Sequence, residues 1–295
     1  MQTLEQLESG LDHILQAPKD SGVLELIVRR PAINEREVLS VAQLDLEQGL
    51  VGDNWAVRGS KRMPDKTQAH PEMQLNLMNS RVLGLLSPDP QRWSLAGDQL
   101  IVDLDLSLTN LPPGTRLAVD SAIIEVTAQP HTGCKKFSER FGVDALRFVN
   151  APAWRDLHLR GINAKVVQPG AITSGATIEK LRTASCSCGQ LRVTCQGAPI
   201  RVGMCHCLAC QQRTGSAFGV QARFPRDKVK VEGDSKLYER VGDTNTPVHF
   251  TFCPHCGSTV CWQFPSTPET IAVAVGAFAD PNFPAPHISV YNVRR

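Results

Sequence analysis

Apolar positions at the amino terminus recur at helical spacing. Leu4, Leu7, Leu11, Ile14 and Leu15 predict an amphipathic helix within residues 1–19. The period then shortens. Residues 23–28 and 38–46 read as strands, the second from the alternation of Val38, Ser40, Ala42, Leu44 and Leu46. Residues 49–59 read as a loop and residues 75–86 contain a short helix. Leu100, Val102, Leu104, Leu106 and Leu108 alternate with polar Asp103, Asp105 and Ser107, which predicts a half-buried strand. The turn residues Leu111-Pro112-Pro113-Gly114 end it, and residues 116–126 supply another strand or a pair. A loop over 130–134 leads into a helix around 138–149. Residues 161–167 return to a strand, and Pro169-Gly170 turns into a further one at 176–179. The first part is therefore mostly β with short helices, the pattern of a barrel-like sheet.

The pattern changes near residues 180–184, where a short linker is expected. Beyond it lie short strands at 190–195, 216–224, 229–231, 248–252, 259–264 and 270–275, with no internal repeat. A length of 295 residues fits two cores better than one. With 42% apolar and 20% charged residues, both parts can bury a core. Lysine and arginine number 31 against 29 aspartates and glutamates, so the net charge of +2 does not point to nucleic acid. No apolar run approaches the roughly 20 residues needed to span a bilayer, and residues 1–16 lack the pattern of a secretory signal. A soluble cytoplasmic protein is expected.

Cysteine is distributed unevenly. Cys134 is the lone cysteine of the first 180 residues, and the other nine fall between Cys186 and Cys261. In a long chain of this kind such density points to reduced thiols that bind metal rather than to disulfides. Cys186 and Cys188, with Cys253 and Cys256, provide the two close pairs that a tetrahedral structural zinc site requires. Cys205, Cys207 and Cys210 provide three ligands. That count predicts a second zinc with an open position for water or thiol, unless His206, His249 or His255 closes it and the site is structural. Cys195 and Cys261 lie within strand-like segments and read as buried small hydrophobes. Metal removal is expected to unfold this part of the chain.

The run Cys186-x-Cys-Gly, the run Cys205-His-Cys-x-x-Cys with Arg213-Thr-Gly-Ser-Ala-Phe218, and Phe252-Cys-Pro-x-Cys-Gly together resemble the glutathione-dependent formaldehyde-activating and centromere protein V family over residues 184–295. The resemblance implies a small, zinc-stabilised, β-rich domain of the Mss4-like, β-tent kind. It also implies a structural ion at Cys186, Cys188, Cys253 and Cys256 and a labile or catalytic ion at Cys205, Cys207 and Cys210. The chemistry it implies is that of a carbon-sulfur lyase: a zinc-activated thiol of the glutathione type adds to a small carbonyl compound.

Cys134 stands in Pro130-His-Thr-Gly-Cys134-Lys135-Lys136, with Arg140 near. Neighbouring cations favour a thiolate, and a buried inert cysteine is the competing reading. Gly49-Leu-Val-Gly-Asp53, Leu95-Ala-Gly-Asp98, Leu111-Pro-Pro-Gly114, Arg160-Gly-Ile-Asn163 and Val166-Val-x-Pro-Gly170 complete a resemblance to the MOSC domain of molybdenum cofactor sulfurases over roughly residues 20–180. That resemblance implies a β-barrel in which Cys134 carries sulfane sulfur or ligates molybdenum. Lys135, Lys136, Arg140 and Arg160 are then candidates for the phosphate of molybdopterin. The resemblance implies pyridoxal phosphate binding only at the level of the family, through the sulfurases' separate desulfurase domain, which residues 1–19 are not expected to supply. His131 and His158 could contact such a pocket but read as ordinary polar residues.

The expectation for the whole is a mainly β, two-domain, sulfur- and thiol-handling protein. Residues 1–19 form a helix, 20–180 a MOSC domain and 184–295 a zinc domain, with Cys134, Cys205, Cys207 and Cys210 as candidate catalytic residues. The alternative is a non-catalytic, zinc-stabilised binding or adaptor protein.

Overall fold

The computed structural model describes residues 2–242 and 245–294. The chain divides into two compact units, Met1–Lys180 and Leu181–Arg295. Both are mainly β with short helices.

In the first unit seven strands close into a barrel. Going round it they are Ser21–Arg29, Leu100–Asp103, Leu75–Asn79, Ile162–Gln168, Ala122–Val126, Arg116–Val119 and Thr177–Ser185. The ring closes where Ser21 and Val23 face Glu179 and Thr177 in antiparallel register. Leu75–Asn79 and Leu100–Asp103 run parallel, and Arg116–Val119 and Ala122–Val126 form a hairpin. Strand alternation sorts side chains between two cores. Leu24, Leu77, Leu100, Leu117, Ile124 and Ile162 belong to one cluster. Met78 and Ile101 belong to another, made with the helices Leu4–Ser9, Ser80–Leu86, Lys135–Phe141 and Val143–Val149. A helical layer over one flank explains why every residue of Leu75–Asn79 is buried.

Several elements differ from the sequence pattern, each for a local reason. The amino-terminal helix is broken at Gly10 into Leu4–Ser9 and Leu11–Leu15; Leu7, Leu11 and Ile14 are buried but Leu15 is exposed. The segment 75–86 is half strand and half helix, and Asn79 marks the change by accepting hydrogen bonds from the amides of Arg81 and Val82. The helix expected over 138–149 begins earlier and is interrupted at Gly142, whose φ of 101° no other residue adopts without strain. The alternation of 100–108 ends as a strand at Asp103, and that of 38–46 is split into Glu37–Leu39 and Val41–Asp45. A strand at Gly170–Thr173 pairs with Val41–Asp45 and was not read from the sequence. Residues 180–184 are not a linker: they lie inside the strand Thr177–Ser185, which buries Ile178, Arg182 and Ala184.

The second unit is built on a seven-stranded sheet. Its order is Lys236–Val241, Pro247–Phe252, Thr259–Gln263, Thr270–Ala274, Gly219–Pro225, Arg201–Cys205 and Ile288–Val290. The two faces of this sheet do different things. Val202, Ala222, Phe224, Cys261 and Val273 point into a core shared with Val193 and Cys195 of the strand Arg192–Gln196, and with Val229 of Val229–Glu232. Register places Arg201, Arg223, Ala272, Trp262 and Phe250 on the opposite face, one per strand, in a row. That second face carries the site. Among the described residues no helix is long and apolar enough to cross a membrane.

Candidate functional site

All ten cysteines are free thiols. Cys186, Cys188, Cys253 and Cys256 bring their sulfurs within 4.8 Å of one another, although 65 residues separate Cys188 from Cys253. Each pair sits on a tight turn at the end of a strand. Cys186 and Cys188 follow Thr177–Ser185, and Cys253 and Cys256 follow Pro247–Phe252. The turns close through Gly189 N–H to the Cys186 carbonyl and Gly257 N–H to the Cys253 carbonyl, and the hydroxyls of Ser187 and Ser258 join them at 2.9 Å.

Donors converge on the sulfurs. The Leu191 amide reaches Cys186 Sγ at 3.2 Å and the Gln190 side chain reaches Cys253 Sγ at 3.0 Å. The Ser258 hydroxyl, with backbone amides, brings the Cys256 thiol down to about 5. Cys188 goes the other way: despite the backbone bond from Gln190, its neighbour Cys186 and burial push it up to about 12. Four thiolates this close cannot all ionise without a cation. Sulfur separations of 3.4 Å for Cys186 and Cys188 and 3.6 Å for Cys188 and Cys253 are near the edge of about 3.8 Å that a tetrahedron of 2.3 Å zinc–sulfur bonds would have. The donor set fits zinc.

Cys205, Cys207 and Cys210 form a second group with sulfurs within 4.8 Å of one another. Cys205 ends the strand Arg201–Cys205, and Cys207 caps the helix Leu208–Thr214, its Sγ accepting from the Cys210 amide at 3.4 Å. Hydrogen bonding from Cys210 lowers the Cys205 thiol pKa and raises that of Cys210. Among the described residues no histidine joins this group. His249 pairs with Glu239 at 3.0 Å and His255 with Asp234 at 3.6 Å. His206 is buried against Phe218 with both ring nitrogens lacking a protein partner, and is not in the cluster. Cys195 and Cys261 are buried and belong to neither group, and burial pushes their thiols up to about 12 and about 11.

The three-cysteine group opens onto a pocket of about 260 Å³. Strand alternation sets Arg201, Gly203 and Cys205 on the pocket face, opposite Arg223, Gln221 and Gly219. Trp262, Phe250 and Phe264 form an aromatic wall. Three guanidinium groups stack on it: Arg213 at 4.5 Å from the Trp262 ring centre, Arg223 at 4.7 Å from Phe264 and Arg240 at 5.7 Å from Phe250. Sequence reasoning overlooked Arg201, Arg223, Arg240 and Trp262. The alternation Arg201-x-Gly203-x-Cys205 was the available signal, because it places an arginine and a ligand cysteine on one face of one strand.

In the first unit Cys134 is exposed at the start of the helix Lys135–Phe141. Its four neighbouring cations each have a partner of their own. Lys135 faces Glu139 at 4.0 Å, Lys136 bonds Asn34 at 3.2 Å, and Arg140 bonds the Leu95 carbonyl at 2.6 Å. Arg160 is buried and grips Asp98 through Nη1 at 2.7 and 2.8 Å. His131 reaches the same carboxylate at 2.8 Å, while His158 bonds the Leu106 carbonyl. Burial alone would raise the Asp98 pKa, but Arg160 and His131 hold it well below the usual carboxylate range. Burial and the Arg160 charge lower the His131 pKa. A second buried pair, Arg30 with Asp53 at 2.8 Å, lies beside Gly97, whose carbonyl Arg30 also reaches. Arg36 has a buried Nε without a protein partner, and burial, Arg140 and Arg30 all lower its pKa.

Among solved structures the chain is similar to the YuaD protein from Bacillus subtilis, with 18% identity, 54% of this chain and 95% of that chain covered, and a TM-score of 0.43. It is also similar to YiiM from Escherichia coli, with 19% identity, coverage of 56% and 72% respectively, and a TM-score of 0.36. No curated protein matches the chain. Residues 181–294 match the family model described as glutathione-dependent formaldehyde-activating enzyme. The unit that carries both cysteine groups is thus the part of the chain similar to that family.

Proposed function

We propose that the second unit, taken as a zinc domain over residues 184–295, activates a small thiol for addition to a small carbonyl compound. The observation that carries this is the opening of the three-cysteine group onto a pocket, with the four-cysteine group as a separate structural cage. Zinc held by Cys205, Cys207 and Cys210 would supply a Lewis acid that favours the ionised thiol near neutral pH. The chain supplies the rest. Phe250, Trp262 and Phe264 exclude water from one side of the pocket, and the Arg213 guanidinium beside Cys210 favours negative charge on sulfur. In the addition a carbon–sulfur bond forms, the carbonyl π bond opens onto oxygen, and the proton lost by the thiol ends on that oxygen. The product is a hemithioacetal, and glutathione with formaldehyde is the pair that the family match supports.

For the first unit, taken as a MOSC-type domain over residues 20–180, the proposal is sulfur carriage or molybdenum ligation by Cys134. Its support is an exposed soft donor and an excess of guanidinium over carboxylate around Gly97, which fit an anionic group such as molybdopterin. Lys135, Lys136, Arg140 and Arg160 would hold its phosphate, Arg160 while paired with Asp98. A chain that keeps seven clustered thiols for metal belongs in a reducing compartment, taken here as the cytoplasm.

The test measures zinc, molybdenum and labile sulfur in the full chain beside Cys207→Ala and Cys134→Ala, together with thiol-dependent formaldehyde consumption. Two zinc ions in the wild type, one in Cys207→Ala, and turnover lost only in Cys207→Ala are expected. Two tightly held ions with no turnover would leave a binding or adaptor protein, and an absence of molybdenum and sulfur in every sample would remove the role of Cys134.

A further inference from the structure

Arg201 and Arg223 face each other directly across the antiparallel strands Arg201–Cys205 and Gly219–Pro225. Like charges in that position repel. Burial and the Arg201 charge both lower the Arg223 pKa, and Arg223 Nε is buried with no protein partner. Arg213 Nε is in the same condition, and Arg240 lines the same pocket. No aspartate or glutamate among the described residues lines the pocket, and none there forms an ion pair with these four arginines. Stacking on the aromatic wall holds the flat faces of three guanidiniums and leaves their N–H edges free for a ligand.

The geometry points to a polyanion-recognition site in this pocket: the thiol accepted at the three-cysteine group is a small thiol bearing two acidic groups, with Arg201 and Arg223 clamping one acid and Arg213 the other. This deepens the thiol-activation reading and rests on it. Arg213 stands beside the cysteines, where Gly219 leaves room for it. The Arg201 and Arg223 pair lies four residues further along the strands, about 13 Å between backbones. The two positions ask for two separated negative groups.

The experiment measures binding to the zinc-loaded full chain by calorimetry, with mercaptosuccinate, glutathione, 2-mercaptoethanol, cysteamine and thiol-free succinate as probes. Trp262, the one tryptophan of the second unit, gives a fluorescence readout beside the pocket. Mercaptosuccinate and glutathione are each expected to bind at least about tenfold more tightly than 2-mercaptoethanol or cysteamine. Succinate is expected to compete. Arg201→Gln and Arg223→Gln should each weaken mercaptosuccinate and succinate about tenfold, yet raise the melting temperature of the ligand-free protein, because the facing charges are relieved. A thiol ranking blind to charge, or unchanged affinities in both variants, would overturn the anion site. Arginine-dependent succinate binding in a protein without thiol turnover would uphold the anion site and discard the thiol reading instead.

Discussion

Replacing Asp98 by Asn keeps the shape of the side chain and removes its charge. The carboxylate is fully buried and accepts from Arg160 at 2.7 and 2.8 Å and from His131 at 2.8 Å. Without it Arg160 keeps only the Ala96 carbonyl at 3.1 Å, a 3.5 Å contact to Met78 Sδ and the Phe137 ring, and its Nε already lacks a partner. Breaking a buried pair by removing one partner costs about 3–5 kcal/mol, because the other charge is left uncompensated. The first unit is 180 residues long, so its unfolding entropy is about 0.4 kcal/mol per kelvin and the loss corresponds to a fall of about 8–13 °C in melting temperature. Thermal unfolding followed by fluorescence of Trp93 and Trp154, both in this unit, would measure it. Adding Arg160→Met to Asp98→Asn should recover part of the loss, since no charge is then stranded. A fall of less than about 1 kcal/mol, or a double variant worse than the sum of the singles, would show that the pair is not the support that its burial indicates.

Cys253→Ala removes a fully buried ligand of the four-cysteine cage. Structural zinc contributes of order 10–16 kcal/mol in zinc-finger peptides, as large as the roughly 5–15 kcal/mol that typically holds a domain together, so the second unit should lose one zinc and its fold, as read by metal content and circular dichroism. Full zinc occupancy with a native spectrum would contradict the cage. Acidification should act on the first unit in two stages. His131 has a lowered pKa when folded, so the unfolded chain binds the extra proton first, and stability should decline as pH falls through about 6.5. Asp98, also lowered, adds a further loss only below about pH 4, where the unfolded carboxyl protonates. Denaturant midpoints that are flat between pH 7 and pH 5 would contradict the first stage.

The cysteine groups were legible in the sequence because metal-ligand spacing is local: two sulfurs on one turn announce themselves, and only the pairing of turns needs the fold. The barrel strands at residues 116–126 and 162–168 were legible through simple alternation. Other features left weaker marks. Thr177–Ser185 carries Glu179, Lys180 and Arg182, which mask its period, and Arg182 earns its buried place by stacking on Phe283 at 5.5 Å. Helices broken at Gly10 and Gly142 kept a helical period across the break. The ion pairs were not readable at all, since Arg30 meets Asp53 and Asp98 meets Arg160 across 23 and 62 residues without any local signature. The arginine pocket was missed for a related reason: its members come from several strands and only the register of the sheet aligns them.

The strand Thr177–Ser185 serves two masters. Its first three residues zip against Ser21–Val23, and its last five zip against Gln196–Arg192. Scission of the polypeptide between those halves would therefore leave each half hydrogen-bonded to its own partner strand. The seam that divides the chain by compactness can thus be cut without parting either of those strand pairs.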